Sequence, residues 1–369
     1  MSSADSPSPG GASRLEELRA EIDALDREIQ RVINRRGALA LEVARVKREA
    51  GTEDDFYRPE REAEILRAVM VRNAGPLPDD TLVHLFREII SACLALQRPL
   101  RVAFLGPAGT FTQAAVLKHF GHSVDTLPLD TVDAVFREVS SESAHYGVVP
   151  VENSTEGVVS HTLDMFMQSS LHICGEIGLP IHHFLLARTK DLEAVERVCS
   201  HSQSLAQCRK WLDLNLPRPE RVAVTSNAEA ARRAAQELGT AAIAGEVAGY
   251  TYGLEVLAAN IEDEPDNTTR FLVIGRRPVP PTGADKTSVL LAARNLPGSL
   301  YHLLEPFARH GINMNRIESR PSRRGKWDYV FFVDVDGHAQ DPGLASALKE
   351  VSERSAMFRV LGSYPRMIL

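Results

Sequence analysis

Asn267-Thr268-Thr269-Arg270-Phe271 bunches an amide, two hydroxyls and a guanidinium ahead of an apolar run. That run, Phe271-Leu272-Val273-Ile274-Gly275, reads as a strand. The acidic segment before it, Glu262 to Asp266, reads as a turn. A strand buried on both faces has no use for such groups. A dicarboxylate ligand at a strand end has. Similar polar sets recur. Glu152-Asn153-Ser154 follows the strand-like Tyr146-Gly147-Val148-Val149, and His201-Ser202-Gln203 follows Val198-Cys199. Gly106-Pro107-Ala108-Gly109-Thr110 joins a strand, Arg101 to Leu105, to a helix starting near Thr112. Amides at such a turn favour an anion. The turn has neither the GxGxxG nor the Walker pattern, so no nucleotide is proposed.

The elements that must position these groups alternate, strand then helix, from about residue 100 to 277. Further junctions follow Arg221-Val222-Ala223-Val224 and Ala241-Ala242-Ile243-Ala244. Alternation of this kind specifies an α/β fold. Polar residues after strand C-termini are where open α/β sheets bind ligands. Two lobes with a cleft between them are expected.

Four stretches resemble the prephenate dehydratase family in wording, order and spacing: Gly106-Pro-Ala-Gly-Thr-Phe111, Val149-Pro-Val-Glu-Asn-Ser154, Thr269-Arg270-Phe271 and Glu318-Ser-Arg-Pro321. The resemblance implies a body like the periplasmic binding proteins of the second type. It also implies conversion of prephenate to phenylpyruvate with loss of carbon dioxide and water. Thr269 is then the catalytic residue, able to bond or protonate the departing hydroxyl. Arg270 either holds a carboxylate or supports the loop. Thr110, Asn153, Ser154 and the Gly109 amide are candidate carboxylate donors, and Glu152 and His201 are candidate acids or orienting groups. The competing reading of each secondary residue is local capping or turn chemistry.

Residues 14–98 read as an all-helical domain. From Leu15 to Glu49 there is no proline, and Leu15, Leu18, Ile22, Leu25, Ile29, Val32, Leu39, Val43 and Val46 keep two heptad positions. Arg36 interrupts one row, and Arg19 and Lys47 stand on a third row beside the seam. Charges there are costly unless paired or ligated. Two shorter helices follow, from Pro59 and from Asp79. The segment resembles the all-helical chorismate mutase family, with Arg19, Arg36, Lys47, Arg61, Glu62 and Gln97 at the ligand positions. Lys47 and Gln97 would address the ether oxygen of chorismate, and the arginines its carboxylates. A pericyclic rearrangement asks only for fixed charge and restraint. Arg58 and Cys93 depart from an acidic residue and a serine of some members, leaving Glu62 to meet the ring hydroxyl.

After a proline-rich linker, Arg276 to Ala284, residues 286–366 read strand, helix, strand, strand, helix, strand, with one strand starting at Trp327. That order is ferredoxin-like. It resembles the ACT amino-acid-sensing domain. Gly298, Leu300, Asn313, Glu318, Ser319 and Arg320 are the phenylalanine site the resemblance implies.

With 369 residues, two or three domains are expected. A net charge of −7 argues against nucleic acid. Cys93, Cys174, Cys199 and Cys208 show no CxxC pairing, which favours free thiols and a cytoplasmic location. No run approaches a membrane span. Residues 1–13 read as a disordered tail. No metal or organic cofactor is expected. The whole reads as a bifunctional enzyme of phenylalanine synthesis, fed back upon by phenylalanine and assembled as a homodimer or higher oligomer. The alternatives are an arogenate dehydratase and a non-catalytic amino-acid sensor.

Overall fold

The computed structural model describes residues 9–51, 57–293, 296–322 and 329–368. Helix α1 (Pro9–Glu49) runs unbroken for 41 residues. It begins ahead of Arg14, so residues 9–13 are helical where a tail was expected. Proline is tolerated in a first helical turn, which is why Pro9 does not prevent it. Residues 1–8 of the expected tail lie outside the described residues. Helices α2 (Pro59–Arg72) and α3 (Asp79–Ala95) pack through Leu66, Val83 and Ile90. Gly37 lets α1 approach this pair. A Cβ there would stand 3.3 Å from the Leu96 side chain. The apolar rows of α1 are otherwise open, with Leu15, Ile22, Leu25, Ile29 and Val32 between 49% and 62% exposed.

The first lobe of the body is built from β1 (Arg101–Leu105), α4 (Phe111–Phe120), β2 (Asp125–Leu129), α5 (Val132–Ser140), β3 (Tyr146–Asn153), β4 (Gly157–Val158), α6 (Ser160–Gln168) and β5 (His172–Pro180). The second holds β6 (Phe184–Ala187), β7 (Arg197–His201), α7 (Ser202–Gln207), α8 (Arg209–Asn215), β8 (Glu220–Val224), α9 (Asn227–Gln236), β9 (Thr240–Ala244), α10 (Glu246–Tyr252) and β10 (Glu255–Ala258). Strand β11 (Thr268–Gly275) then returns to the first lobe. The sheet orders are β2-β1-β3-β11-β5 and β10-β6-β9-β7-β8. The chain thus crosses between lobes twice, and the crossings lie side by side: Ile181 N donates to the Asn267 carbonyl at 2.8 Å. This return places the polar run at the junction of the lobes. The strand expected from Phe271 in fact pairs from Thr268 onward, with Thr269 between Asn153 on β3 and Leu179 on β5.

The last unit is β12 (Asp285–Ala292), α11 (Ser299–Arg309), β13 (Met314–Pro321), β14 (Tyr329–Asp336), α12 (Pro342–Arg354) and β15 (Met357–Pro365). Trp327 lies outside the described residues. All pairings in its β13-β14-β12-β15 sheet are antiparallel. One face meets α11 and α12 through Val289, Leu291, Leu303, Phe307, Leu344 and Val351. The other face contributes Leu290, Val330, Phe332, Leu361 and Tyr364 to the core of the first lobe, beside Val149, Val151 and Leu272.

Candidate active sites

The centre of the body is one hydrogen-bonded pair. Asn153 closes β3, and its Oδ1 accepts from the amides of Thr155 and Glu156, each at 3.0 Å. These bonds fix which end of the amide is oxygen. Its Nδ2 therefore donates, to Thr269 Oγ1 at 2.7 Å and to Asn267 Oδ1 at 2.8 Å. Since Thr269 Oγ1 accepts from Asn153, its own proton is free to be donated elsewhere. Ser154 holds the same corner, its Oγ accepting from Thr268 N at 2.9 Å and donating to Asn267 at 3.4 Å.

The adjoining cleft has a volume of about 730 Å³ and is walled by Thr155, Glu156, His201, Gln203, Arg209, Lys210 and Asn267, among others. Thr269, Asn153, Ser154, Thr110 and Glu152 do not stand on that wall. Asn267 connects it to the Thr269 pair. His201 Nδ1 accepts from Gln203 N, capping α7, which puts the proton of the neutral ring on Nε2. Thr110 caps α4 by accepting from Gln113 N at 3.4 Å. The Gly109 amide, expected to meet an anion, donates to Gln113 Oε1 at 2.6 Å. Arg209 and Lys210 were missed in the sequence. The signal was there, a basic pair shortly after His201-Ser202-Gln203.

Arg270 does not face the same way as Thr269. It donates to Glu176 Oε2 on β5 at 3.0 Å, to Asp334 Oδ2 on β14 at 2.7 Å and to Tyr364 Oη on β15 at 3.2 Å. Of the two roles open to it, support is the one its partners serve. Glu152 accepts from Arg316 on β13 at 2.7 Å.

In the helical unit, Arg36, Lys47, Arg61, Glu62 and Gln97 line one cavity of about 390 Å³, together with Arg58 and Cys93. Arg36 and Lys47 reach it from α1, Arg61 and Glu62 from the first turns of α2, and Gln97 from just beyond α3. Arg36 Nη1 also donates to the Ile89 carbonyl at 3.4 Å. Gln97 Oε1 is buried with no hydrogen-bond partner among the described residues. Burial pushes the Glu62 carboxyl up to about 7, against the opposing pull of Arg87 and a hydrogen bond from Tyr57. Arg58 donates to Glu60 at 2.6 Å, away from a purely ligand-directed role. Arg19 stands 17 residues before Arg36 on the same helix, roughly 26 Å away along the axis. It is not on the cavity wall of its own chain.

The C-terminal residues divide. Gly298, at φ 76°, precedes α11, whose first turn carries Leu300. Asn313 donates to Asn315 and Asp336. Glu318, Ser319 and Arg320 lie on β13, an edge strand of the sheet. Arg320 is turned to the body, donating to Ser160 Oγ and, at 3.0 Å, to Asp164 Oδ1 on α6.

Family models match the chain in three blocks: chorismate mutase type II over residues 18–98, prephenate dehydratase over 102–279 and the ACT domain over 287–353. A bifunctional chorismate mutase/prephenate dehydratase of Stutzerimonas stutzeri is 54% identical over 362 residues, covering 97% of this chain and 99% of its own. One of Pseudomonas aeruginosa is 52% identical, with 96% and 99% covered. The crystal structure of an Arthrobacter aurescens prephenate dehydratase in complex with L-Phe superposes with a TM-score of 0.66 at 38% identity, covering 72% of this chain and 90% of that one. The chain belongs to the bifunctional chorismate mutase/prephenate dehydratase family.

Proposed function

We infer that the helical unit converts chorismate to prephenate. The body then converts prephenate to phenylpyruvate, carbon dioxide and water. Phenylalanine acts back through the C-terminal unit. The observation that carries the dehydratase assignment is the Asn153–Thr269 hydrogen bond at 2.7 Å. In the reaction the ring–carboxylate bond breaks and releases carbon dioxide. Its electron pair moves through the ring, which becomes aromatic, and the ring C–O bond breaks. The oxygen leaves as water, taking a proton that this reading assigns to the Thr269 hydroxyl, which is then reprotonated from solvent. A hydroxyl whose oxygen already accepts from Asn153 keeps its proton for a departing oxygen, and such a donor acts where charge develops. His201 Nε2–H, Arg209 and Lys210 are suited to the substrate's carboxylates. Neither reaction requires an oxidant, a reductant or a group carrier.

For the mutase, Arg36 and Lys47 are 11 residues apart on α1, roughly 16 Å along the axis, and both line the cavity. Long side chains spanning that distance can converge on a small dianion, with Lys47 and Gln97 at the ether oxygen. Arg19 fits this site only from a second chain, which is also what the open apolar rows of α1 call for. We therefore assign a homodimer with shared mutase sites. A cytoplasmic location is proposed from four buried free cysteines. No described helix is long and apolar enough to cross a membrane.

Incubating the pure protein with chorismate should generate phenylpyruvate, read by its absorbance in alkali. Prephenate and arogenate, assayed side by side, assign the dehydratase substrate. No absorbance from chorismate or prephenate would leave an amino-acid sensor in place of an enzyme.

A further inference from the structure

Thr269 and Asn153 face each other across β11 and β3, and the next pair in register is Arg270 and Glu152. Successive residues of a strand point to opposite faces. Thr269 and Asn153 bond each other at the lobe junction, whereas Arg270 and Glu152 are both held from the C-terminal sheet. Asp334 and Tyr364 accept from Arg270, and Arg316 donates to Glu152. The ladder between β11 and β3 shifts register immediately after Arg270. Such a bulge re-aims side chains and leaves their direction to other contacts.

Those contacts are closely specified. Glu176 and Asp334 are each 5% exposed and Tyr364 is fully buried. Lys286 donates to both oxygens of Glu176, at 2.6 and 2.8 Å, and Ser288 bonds Asp334 and Tyr364 at 2.5 and 2.8 Å. Two cations thus meet two anions, with every named oxygen engaged. A buried ion cluster is weak glue compared with apolar packing, but a guanidinium fork fixes angles that apolar contact does not. Strand β13 carries Arg316 two residues before Glu318-Ser319-Arg320, so a ligand that moves β13 moves the partner of Glu152.

We propose that Arg270 and Glu152 are positioning residues, through which the C-terminal sheet sets the geometry of the Thr269–Asn153 pair. The proposal rests on Thr269 being the dehydratase centre. It names Asp334, Tyr364 and Arg316, in another domain, as determinants of dehydratase turnover.

The test uses the full chain carrying Asp334→Asn or Arg316→Gln, each folded as judged by thermal melting and by mutase rate. Dehydratase kcat should fall about tenfold with KM within about twofold, as for a misplaced catalytic group that still binds substrate. Arg316→Lys should recover most of the loss. Arg316→Gln should also weaken inhibition by phenylalanine while phenylalanine still raises the melting temperature. In a Thr269→Val background, Asp334→Asn should cost less than about twofold more, since its effect passes through Thr269. Equal losses in both backgrounds, or an unchanged kcat, would overturn the proposal. A Thr269→Val enzyme with near-native turnover would instead remove the reading beneath it, a separate outcome. If either variant fails to fold, Tyr364→Phe, which deletes only the hydroxyl that accepts from Arg270, gives the answer. It should lower kcat about threefold, and no change would count against the proposal.

Discussion

At the scale of single residues, the decisive feature is that Asn153 is pinned at its oxygen and donates from its nitrogen. Thr269→Val keeps the shape, removes the hydroxyl and should lower dehydratase kcat about 100-fold or more, as for loss of one aimed donor. The mutase rate should not change. Near-native dehydratase turnover would exclude Thr269 from the chemistry. Glu62 offers a second check. Its carboxyl is raised by burial from 4.5 to about 7, so between those values the unfolded chain ionises while the folded one stays neutral. Stability from this group is full at low pH and is lost as pH rises through that window, by up to about 1.4 kcal/mol per pH unit. Glu62→Gln should flatten that part of the profile, read as melting temperature against pH for the two proteins. Parallel profiles would mean that Glu62 ionises normally. Thr269 and Asn153 were singled out in the sequence by family-like wording, and the structure bonds the one to the other. The sequence left Arg270 undecided because Asp334 and Tyr364, which accept from it, lie 64 and 94 residues further on, in another domain.

At the scale of elements, the helix and strand order of the C-terminal unit and the three helices of the first were readable from periodicity and proline placement. Strand β5 was not. Its interior holds Glu176, a charge that reads as surface until Arg270 and Lys286 are seen to meet it. The same strand explains Gly362. A Cβ at that position on β15 would collide with the backbone of Ile173, carbonyl oxygen included. Backbone cannot rotate aside as a side chain can, so Gly362→Ala must push the C-terminal sheet off the first lobe. Overpacking of this kind destabilises by about 1–3 kcal/mol. Thermal unfolding should show the loss, and dehydratase turnover should fall with it, because the displaced sheet also carries Asp334 and Tyr364. An unaltered melting temperature would mean that the two sheets do not pack as described. For the same reason the body and the C-terminal sheet share one core, and deleting the sheet would expose Leu272 and Val149 as well as remove a regulator.

At the scale of the whole molecule, α1 is the element on which the proposed dimer turns. Its apolar rows are open, and Arg19 and Lys47 are 28 positions apart, roughly 42 Å on a helix that the structure shows to be unbroken. No single small substrate touches both in one chain. Two long helices packed antiparallel about a twofold axis bring Arg19 of each chain toward Lys47 of the other, and a closed twofold dimer is the commonest way for such a surface to be satisfied. Arg19→Ala and Lys47→Ala should then each be nearly inactive as mutases while keeping dehydratase activity. Combined in one dimer they behave differently. One site draws Lys47 from the Arg19→Ala chain and Arg19 from the Lys47→Ala chain, and so is intact. The other site carries both lesions. A purified mixed dimer, its chains separately tagged, should therefore recover about half the native mutase rate if the sites act independently. If subunit exchange is verified and the mixed dimer is no more active than either parent, each site is built from one chain, and the open face of α1 has another purpose.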